Sequence, residues 1–291
     1  MNTTMQGLLL AALAWVMFGL GLALTIADFA RVTRYPRAVG LALGLQVIVL
    51  PAACFLLVVA AGLPPPMAVG MMLLAASPGG IAANLFSHLF GGNVAMNISL
   101  TAVNTALSIV TLPLVTNLAI EHLGEGTGMV PLQFRKVAEV VGIVLVPVAI
   151  GMWVASRHPV FASRLERPMK LFSGAVLFTL VGVSLAREWH VVVAGAAELG
   201  LIVVAFNLAS LLLAYAASRM VGVDQPNATA IGFEAGIHNA TLAMYVAIAV
   251  IGDAEIAVPA ALYSVSMLVT ATVFGVWLRR HQLRGAGGTL T

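Results

Sequence analysis

Long apolar runs separated by short polar connections fill this chain from end to end. Dividing it at charges, prolines and glycine-rich turns gives spans of roughly 6–27, 38–62, 66–90, 92–119, 131–156, 169–186, 191–218, 226–251 and 256–278. A helix crosses a bilayer with about 20 mostly apolar residues, so each run is a candidate membrane span. The pattern predicts an all-α polytopic protein with nine transmembrane helices. Residues 1–291 form a single membrane unit, with no stretch left over for a soluble domain. The first run is too long for a signal-peptide core and has no basic lead-in, so it reads as a mature helix.

Composition narrows the function classes. Hydrophobic residues make up 61% of the chain and charged residues 9%, against about 25% charged in an average soluble domain. That shortage excludes a soluble enzyme, a nucleic-acid binder and a disordered chain. The single cysteine, Cys54, excludes an internal disulfide. The net charge of +3 follows from topology. In a nine-span chain Arg31, Arg34, Arg37, Arg157, Arg164, Arg167, Lys170, Arg219, Arg279, Arg280 and Arg284 all fall on one side. Arg135, Lys136 and Arg187 fall on the other, together with Glu121, Glu125, Asp253 and Glu255. Basic loops stay cytoplasmic, which puts the N-terminus outside and the C-terminus inside a plasma (inner) membrane.

Two spans carry interruptions. Ser77-Pro78-Gly79-Gly80 breaks the third, with Asn84 just beyond, and Glu234-Ala235-Gly236-Ile237-His238-Asn239 sets two ionisable groups and an amide inside the eighth. Proline removes an amide donor and glycine loosens a helix, and unwound backbone survives at membrane depth only in protein or beside a wet cavity. The order of intact, broken and polar-lined span recurs in 38–119 and 191–278. The odd separation of these halves would invert one relative to the other, a pointer to the site of a secondary transporter.

Glu234 is the most informative residue. A carboxylate at a helix centre costs about 2.5–3.5 kcal/mol on insertion scales and calls for a cation or proton partner. Asn84 and Asn239 lie at the breaks, and Asn97 and Thr101 stand four apart on one helix face. With freed backbone carbonyls these are hard oxygen ligands suited to an alkali cation, and the scattered histidines offer no transition-metal set. His238 is either a hydrogen-bonding imidazole or a proton carrier, and it shares a face with Glu234 if the helix continues between them. Gln46 reads as interhelical glue. The tryptophans near span ends read as an interfacial belt.

The stretches Ser77–Asn84, Gly92-Asn93-Val94-Ala95 and Glu234–Asn239 resemble the bile acid:sodium symporter family, and the likeness runs through nearly the whole chain. The resemblance implies inverted repeats, with two discontinuous helices crossing near the midplane. It implies a core domain of 38–119 and 191–278 and a panel of 6–27 and 131–186. A first sodium would be held by Asn84, Asn97, Thr101 and Glu234; alanine stands at position 83, where the family has a serine ligand. A second would involve Gln46, Glu234, the Ala235 and Ile237 carbonyls, and His238, where the family has a glutamine. Ile81, Ala83 and Asn239 would border the substrate crevice. Met267-Leu268 occupies the place of a histidine–asparagine pair in bacterial bile-acid-type members.

The sequence therefore predicts sodium-coupled symport of a small organic anion, bile-acid-like or a small carboxylate, by alternating access. It predicts Na+ as the coupling ion and the lipid bilayer as surroundings, with no nucleic acid and no obligate protein partner. The rivals are proton coupling through Glu234 and His238 on the same fold and, more remotely, an intramembrane acid–base enzyme.

Overall fold

The computed structural model describes residues 32–124, 134–165 and 189–287, with scattered positions in 11–27 and 168–179. The spans expected at 6–27 and 169–186 lie largely outside the described residues. What is described is helical, and the helices follow the apolar runs closely.

Helix α1 (Pro36–Gly44) passes through a π-helical turn, Leu45–Val49, into α2 (Leu50–Ala60). Pro51 has no N–H for the Val47 carbonyl, and at this point the ladder widens so that Leu50 N–H reaches Leu45 O. The result is one apolar helix of 25 residues, Pro36–Ala60. Helices α3 (Pro65–Ala76) and α4 (Ile81–Leu89) flank the first interruption. Helix α5 (Val94–Leu123) bends by 55° between Ser108 and Val110. Pro113 lies four residues after Ile109; it has no N–H to donate to that carbonyl and its ring would clash with it in a straight helix.

After α6 (Phe134–Arg157) and α7 (Trp189–Met220), the second interruption separates α8 (Gln225–Gly236) from α9 (Ala240–Tyr245). A π-helical turn extends α9 to Ile251, where Gly252 stops it at φ +87°. Helix α10 (Val258–Gly287) follows. Among the described residues, Pro36–Ala60, Leu199–Met220 and Glu255–His281 are each long and apolar enough to cross a membrane, and bent α5 makes a fourth.

The interrupted helices lie at the centre of the packing. Every residue from Met67 to Ala76 of α3 and from Asn227 to Gly236 of α8 is buried. Helix α8 packs on α7, α5 and α4, while α3 packs on α5, α2 and α10. The beginnings of α5 and α8 are tied by polar groups. Asn93 caps α5 by accepting Met96 N–H on its Oδ1, donates its side-chain amide to Asn227 Oδ1 at 2.8 Å, and donates its backbone N–H to Pro226 O at 2.8 Å. Asn227, which begins the glycosylation-like triplet Asn227-Ala228-Thr229, is thus buried and committed. Outward-facing positions are apolar on several helices, Ile48, Leu56, Val110, Leu201 and Val273 among them, which suits a lipid-facing surface. Trp15, Trp153 and Trp277 are also exposed.

Candidate functional site

Each break is built by its own residues. Pro78 pushes Ser77 out of helical geometry to ψ 144°, as expected for a residue preceding proline. The carbonyl of Leu74, left without its usual donor, receives both Ser77 N–H at 3.0 Å and Ser77 Oγ at 2.7 Å. In the second break, α8 ends at Gly236 and Asn239 restarts the helix by accepting Leu242 N–H on its side chain.

The two breaks pair with each other. Gly80 N–H donates to Ile237 O at 2.9 Å and Asn239 N–H donates to Pro78 O at 2.8 Å, bracketing an antiparallel bridge between Gly79 and His238. Backbone groups freed by unwinding one helix are therefore satisfied by the other. Another carbonyl at the end of α8, Gly236 O, receives Asn207 Nδ2 at 2.7 Å and Tyr263 Oη at 2.9 Å. Thr270 in turn donates to Asn207 Oδ1.

Glu234 is 2% exposed and faces this crossing. Thr101 donates to its Oε2 at 2.6 Å and Asn104 Nδ2 donates to its Oε1 at 3.1 Å, and the carboxylate packs against Gly79. A Cβ built on Gly79 would stand 2.3 Å from the carboxyl carbon, so only glycine admits the carboxylate here. Asn97 donates to Ala230 O at 2.8 Å, which turns its Oδ1 the other way, buried and without a partner. Asn84 Oδ1 on the first turns of α4 is also buried and unpartnered.

Of the first expected sodium set, Thr101 and Glu234 touch directly. Asn97 lies one turn before Thr101 on α5, and Asn84 is not among the hydrogen-bond partners of Glu234. The second set divides. Gln46 Nε2 and His238 Nδ1 both approach Ser77 O, at 3.0 and 3.1 Å, and lie 3.3 Å from each other. A carbonyl only accepts, so His238 carries its hydrogen on Nδ1, and Nε2 is left buried and unpartnered. Phe206 stacks on the ring with centroids 5.7 Å apart. Because α8 ends at Gly236, His238 does not share a helix face with Glu234. The carboxylate turns to α5 and the imidazole to Ser77. The Ile237 carbonyl is engaged by Gly80, Ala83 is fully buried, and Asn239 Oδ1 serves as a cap.

Sequence reasoning missed Asn104, Asn207 and Tyr263. Asn104 had a signal, since Asn97, Thr101 and Asn104 stand at i, i+4 and i+7 on one face. Asn207 and Tyr263 are single polar groups in apolar helices and gave none.

Comparison with known proteins gives this geometry a family. The sequence model of the sodium bile acid symporter family matches residues 10–195. The probable sodium/metabolite cotransporter BASS1, chloroplastic, of Arabidopsis thaliana is 26% identical over 96% of this chain and 67% of its own length. The uncharacterized sodium-dependent transporter YocS of Bacillus subtilis is 26% identical over 94% and 83%. The human ileal sodium/bile acid cotransporter is 25% identical over 83% and 69%. The chain spans about two thirds of the length of the chloroplast relatives, from 64 to 67%. These relatives are transporters and not enzymes, which removes the intramembrane acid–base enzyme as a reading. Two interrupted helices whose freed backbones pair across a buried glutamate, in a chain matched over most of its length, have one common explanation: the chain belongs to the sodium bile acid symporter family.

Proposed function

We propose that the protein is a sodium-driven symporter of a small organic anion that works by alternating access. The observation that carries this reading is Glu234, a buried carboxylate with no cationic side chain among its hydrogen-bond partners, set between two helix breaks and near unpartnered buried oxygens. Such a group invites a cation. Asn84 Oδ1 and Asn97 Oδ1 are hard ligands of the kind sodium accepts, and both are bare. Thr101 lies 3.0 Å from a second acceptor, Asn97 O, so its proton can turn there and free the hydroxyl oxygen toward an ion.

In this reading sodium on Glu234, Asn84, Asn97 and Thr101 holds α4, α5 and α8 in one arrangement. The second set, Gln46, Glu234, Ala235 O, Ile237 O and His238, would serve a further ion once Gln46 and His238 release Ser77 O. The anionic group of the substrate would meet the N-terminal ends of α4 and α9, which carry partial positive charge, near Ile81, Ala83 and Asn239. We assign nine spans arranged as inverted repeats, with a core of 38–119 and 191–278 rocking against a panel of 6–27 and 131–186. The plasma membrane, with the N-terminus outside and the C-terminus inside, is the setting that fits the distribution of arginines. Sodium binding then contributes to whichever state closes the crossing around it, and its gradient drives the substrate.

Uptake of a transported anion into liposomes tests this. Glu234→Ala should abolish the part of uptake that depends on a sodium gradient, and sodium-dependent uptake that survives the substitution would overturn the reading.

One observation supports a second reading. The bare Nε2 of His238 has a lone pair free to take a proton, so the same fold could couple to protons. Uptake driven by a pH gradient in sodium-free buffer, and lost in His238→Phe, would favour it.

A further inference from the structure

Helix α5 turns three polar side chains toward α8, and the last of them belongs to neither expected ion set. Asn97, Thr101 and Asn104 stand at i, i+4 and i+7 on one face. Asn104 is 3% exposed. Its Nδ2 donates to Glu234 Oε1 at 3.1 Å, while its Oδ1 is buried and without a partner. Gln46 has the same imbalance: its Nε2 donates to Ser77 O, and its Oε1 is buried and bare. Both amides line one small cavity beside Pro78, with room for about one water molecule. Two bare acceptors on one cavity are a costly arrangement.

The two oxygens of Glu234 are not equivalent. Thr101 donates to Oε2 but has a second acceptor, Asn97 O at 3.0 Å, so its proton can leave while its oxygen stays as a ligand. Oε1 faces Asn104 Nδ2, which only donates. A cation approaching Oε1 meets N–H hydrogens unless that amide turns over. The terminal torsion of asparagine is broad and roughly two-fold, so a half-turn exchanges oxygen for nitrogen without moving the backbone. It brings Oδ1 to the carboxylate and sends Nδ2 to the cavity. There the bare Gln46 Oε1 accepts it, directly or through one water. Without an ion the half-turn is opposed, because a carbonyl then faces a carboxylate. With an ion it is favoured. Oxygen ligands of a hard cation such as calcium lie at about 2.3–2.6 Å, so two at right angles stand about 3.3–3.7 Å apart. An oxygen in the place of Nδ2, 3.1 Å from Oε1, needs only a small shift to share an ion with it.

We propose that Asn104 is a further ligand of the cation at Glu234, and that its amide turns over when the ion binds. This rests on the sodium reading and adds to it a residue that neither expected set contains. In the ion-free arrangement Asn104 braces Oε1. In the bound one it holds the ion through Oδ1 and Gln46 through Nδ2. Gln46 in turn donates to Ser77 O, next to Pro78 in the first break. Ion binding at Glu234 on α8 is thereby coupled to the first break through one side chain, and the coupling acts in both directions.

The test is sodium affinity, read from the unfolding temperature of the purified full chain in lipid nanodiscs with potassium as the control. Wild type, Asn104→Leu and Asn104→Asp are compared. The sign of the change separates a ligand from a group that only braces Glu234. A brace competes with the ion for Oε1, so its loss in Asn104→Leu would leave sodium binding unchanged or tighter. Loss of a ligand weakens binding, and the expected rise in Kd is about tenfold. Asn104→Asp keeps an oxygen and removes the donor. Without sodium it should unfold at a lower temperature than wild type, because two carboxylates face each other, yet it should bind sodium at least as tightly. The turnover has its own readout in the wild type, which serves if Asn104→Leu does not fold. The side-chain 15N signal of Asn104, identified by its loss in Asn104→Asp, should move with sodium and not with potassium. A Kd for Asn104→Leu within about twofold of wild type or below it, weaker sodium binding by Asn104→Asp, or a 15N signal indifferent to sodium would each overturn the proposal alone, since the wild type still responds to sodium. A wild type without a sodium response would overturn the sodium reading and this proposal with it.

Discussion

At the scale of single residues, the crossing depends on where side chains are absent as much as where they are present. Gly79 and Gly80 are neighbours in sequence with different environments. A Cβ on Gly79 would stand 2.3 Å from the Glu234 carboxyl carbon, whereas one on Gly80 would find its nearest atom, His238 O, at 3.5 Å. Gly79→Ala should therefore cost about 1–3 kcal/mol, the usual range for overpacking a filled interior. Gly80→Ala should stay within about 0.5 kcal/mol. Thermal unfolding of the two variants checks this, and equal effects would contradict the placement of Glu234 against Gly79. The glutamate itself was legible from its setting, because a charge in an apolar run is rare and costly. Asn104 was less so. A lone amide in a span is as often helix glue as a site, and only the three-dimensional contact with Glu234 decides between them.

At the scale of elements, both breaks were legible because proline, glycine and asparagine each act locally. Pro78 ends α3, Asn239 restarts α9, and Gly236 closes α8. Two things were not. The end of α8 at Gly236 turns His238 away from Glu234, a separation that i, i+4 spacing cannot foresee. The donors that finish the end of α8 come from α7 and α10, far along the chain, and their identity is set by packing. Gly236 O holds two of them, so Tyr263→Phe alone should cost about 1 kcal/mol. Combining it with Asn207→Leu strips the carbonyl of both, and the double variant should lose more than the sum of the singles. Additive losses would show that the two donors do not share one acceptor. The cap on α9 is a separate contribution. Asn239→Ala should lower stability by about 1 kcal/mol, measured the same way.

At the scale of the whole molecule, hydropathy gives the lengths of the apolar runs and arginine placement gives a consistent sidedness, while the relation of the helices to one another comes from contacts. The six runs between 38–119 and 191–278 reappear as helices with nearly the boundaries their hydropathy suggests. Their meeting point is a short antiparallel backbone pair with a carboxylate beside it. That arrangement concentrates hard oxygens where the two interrupted helix pairs cross, so an ion bound there bears on both. The account predicts that the folded state itself binds sodium. A ligand bound only by the folded protein raises stability by RT ln(1 + [L]/Kd), about 2.7 kcal/mol at a hundredfold excess over Kd.

The most direct test is the unfolding temperature of the purified protein titrated with sodium and, in parallel, potassium, for wild type and Glu234→Gln. A rise specific to sodium in the wild type and absent from the variant is the predicted result. A wild-type response identical in the two salts, or a sodium response that persists without the carboxylate, would contradict it.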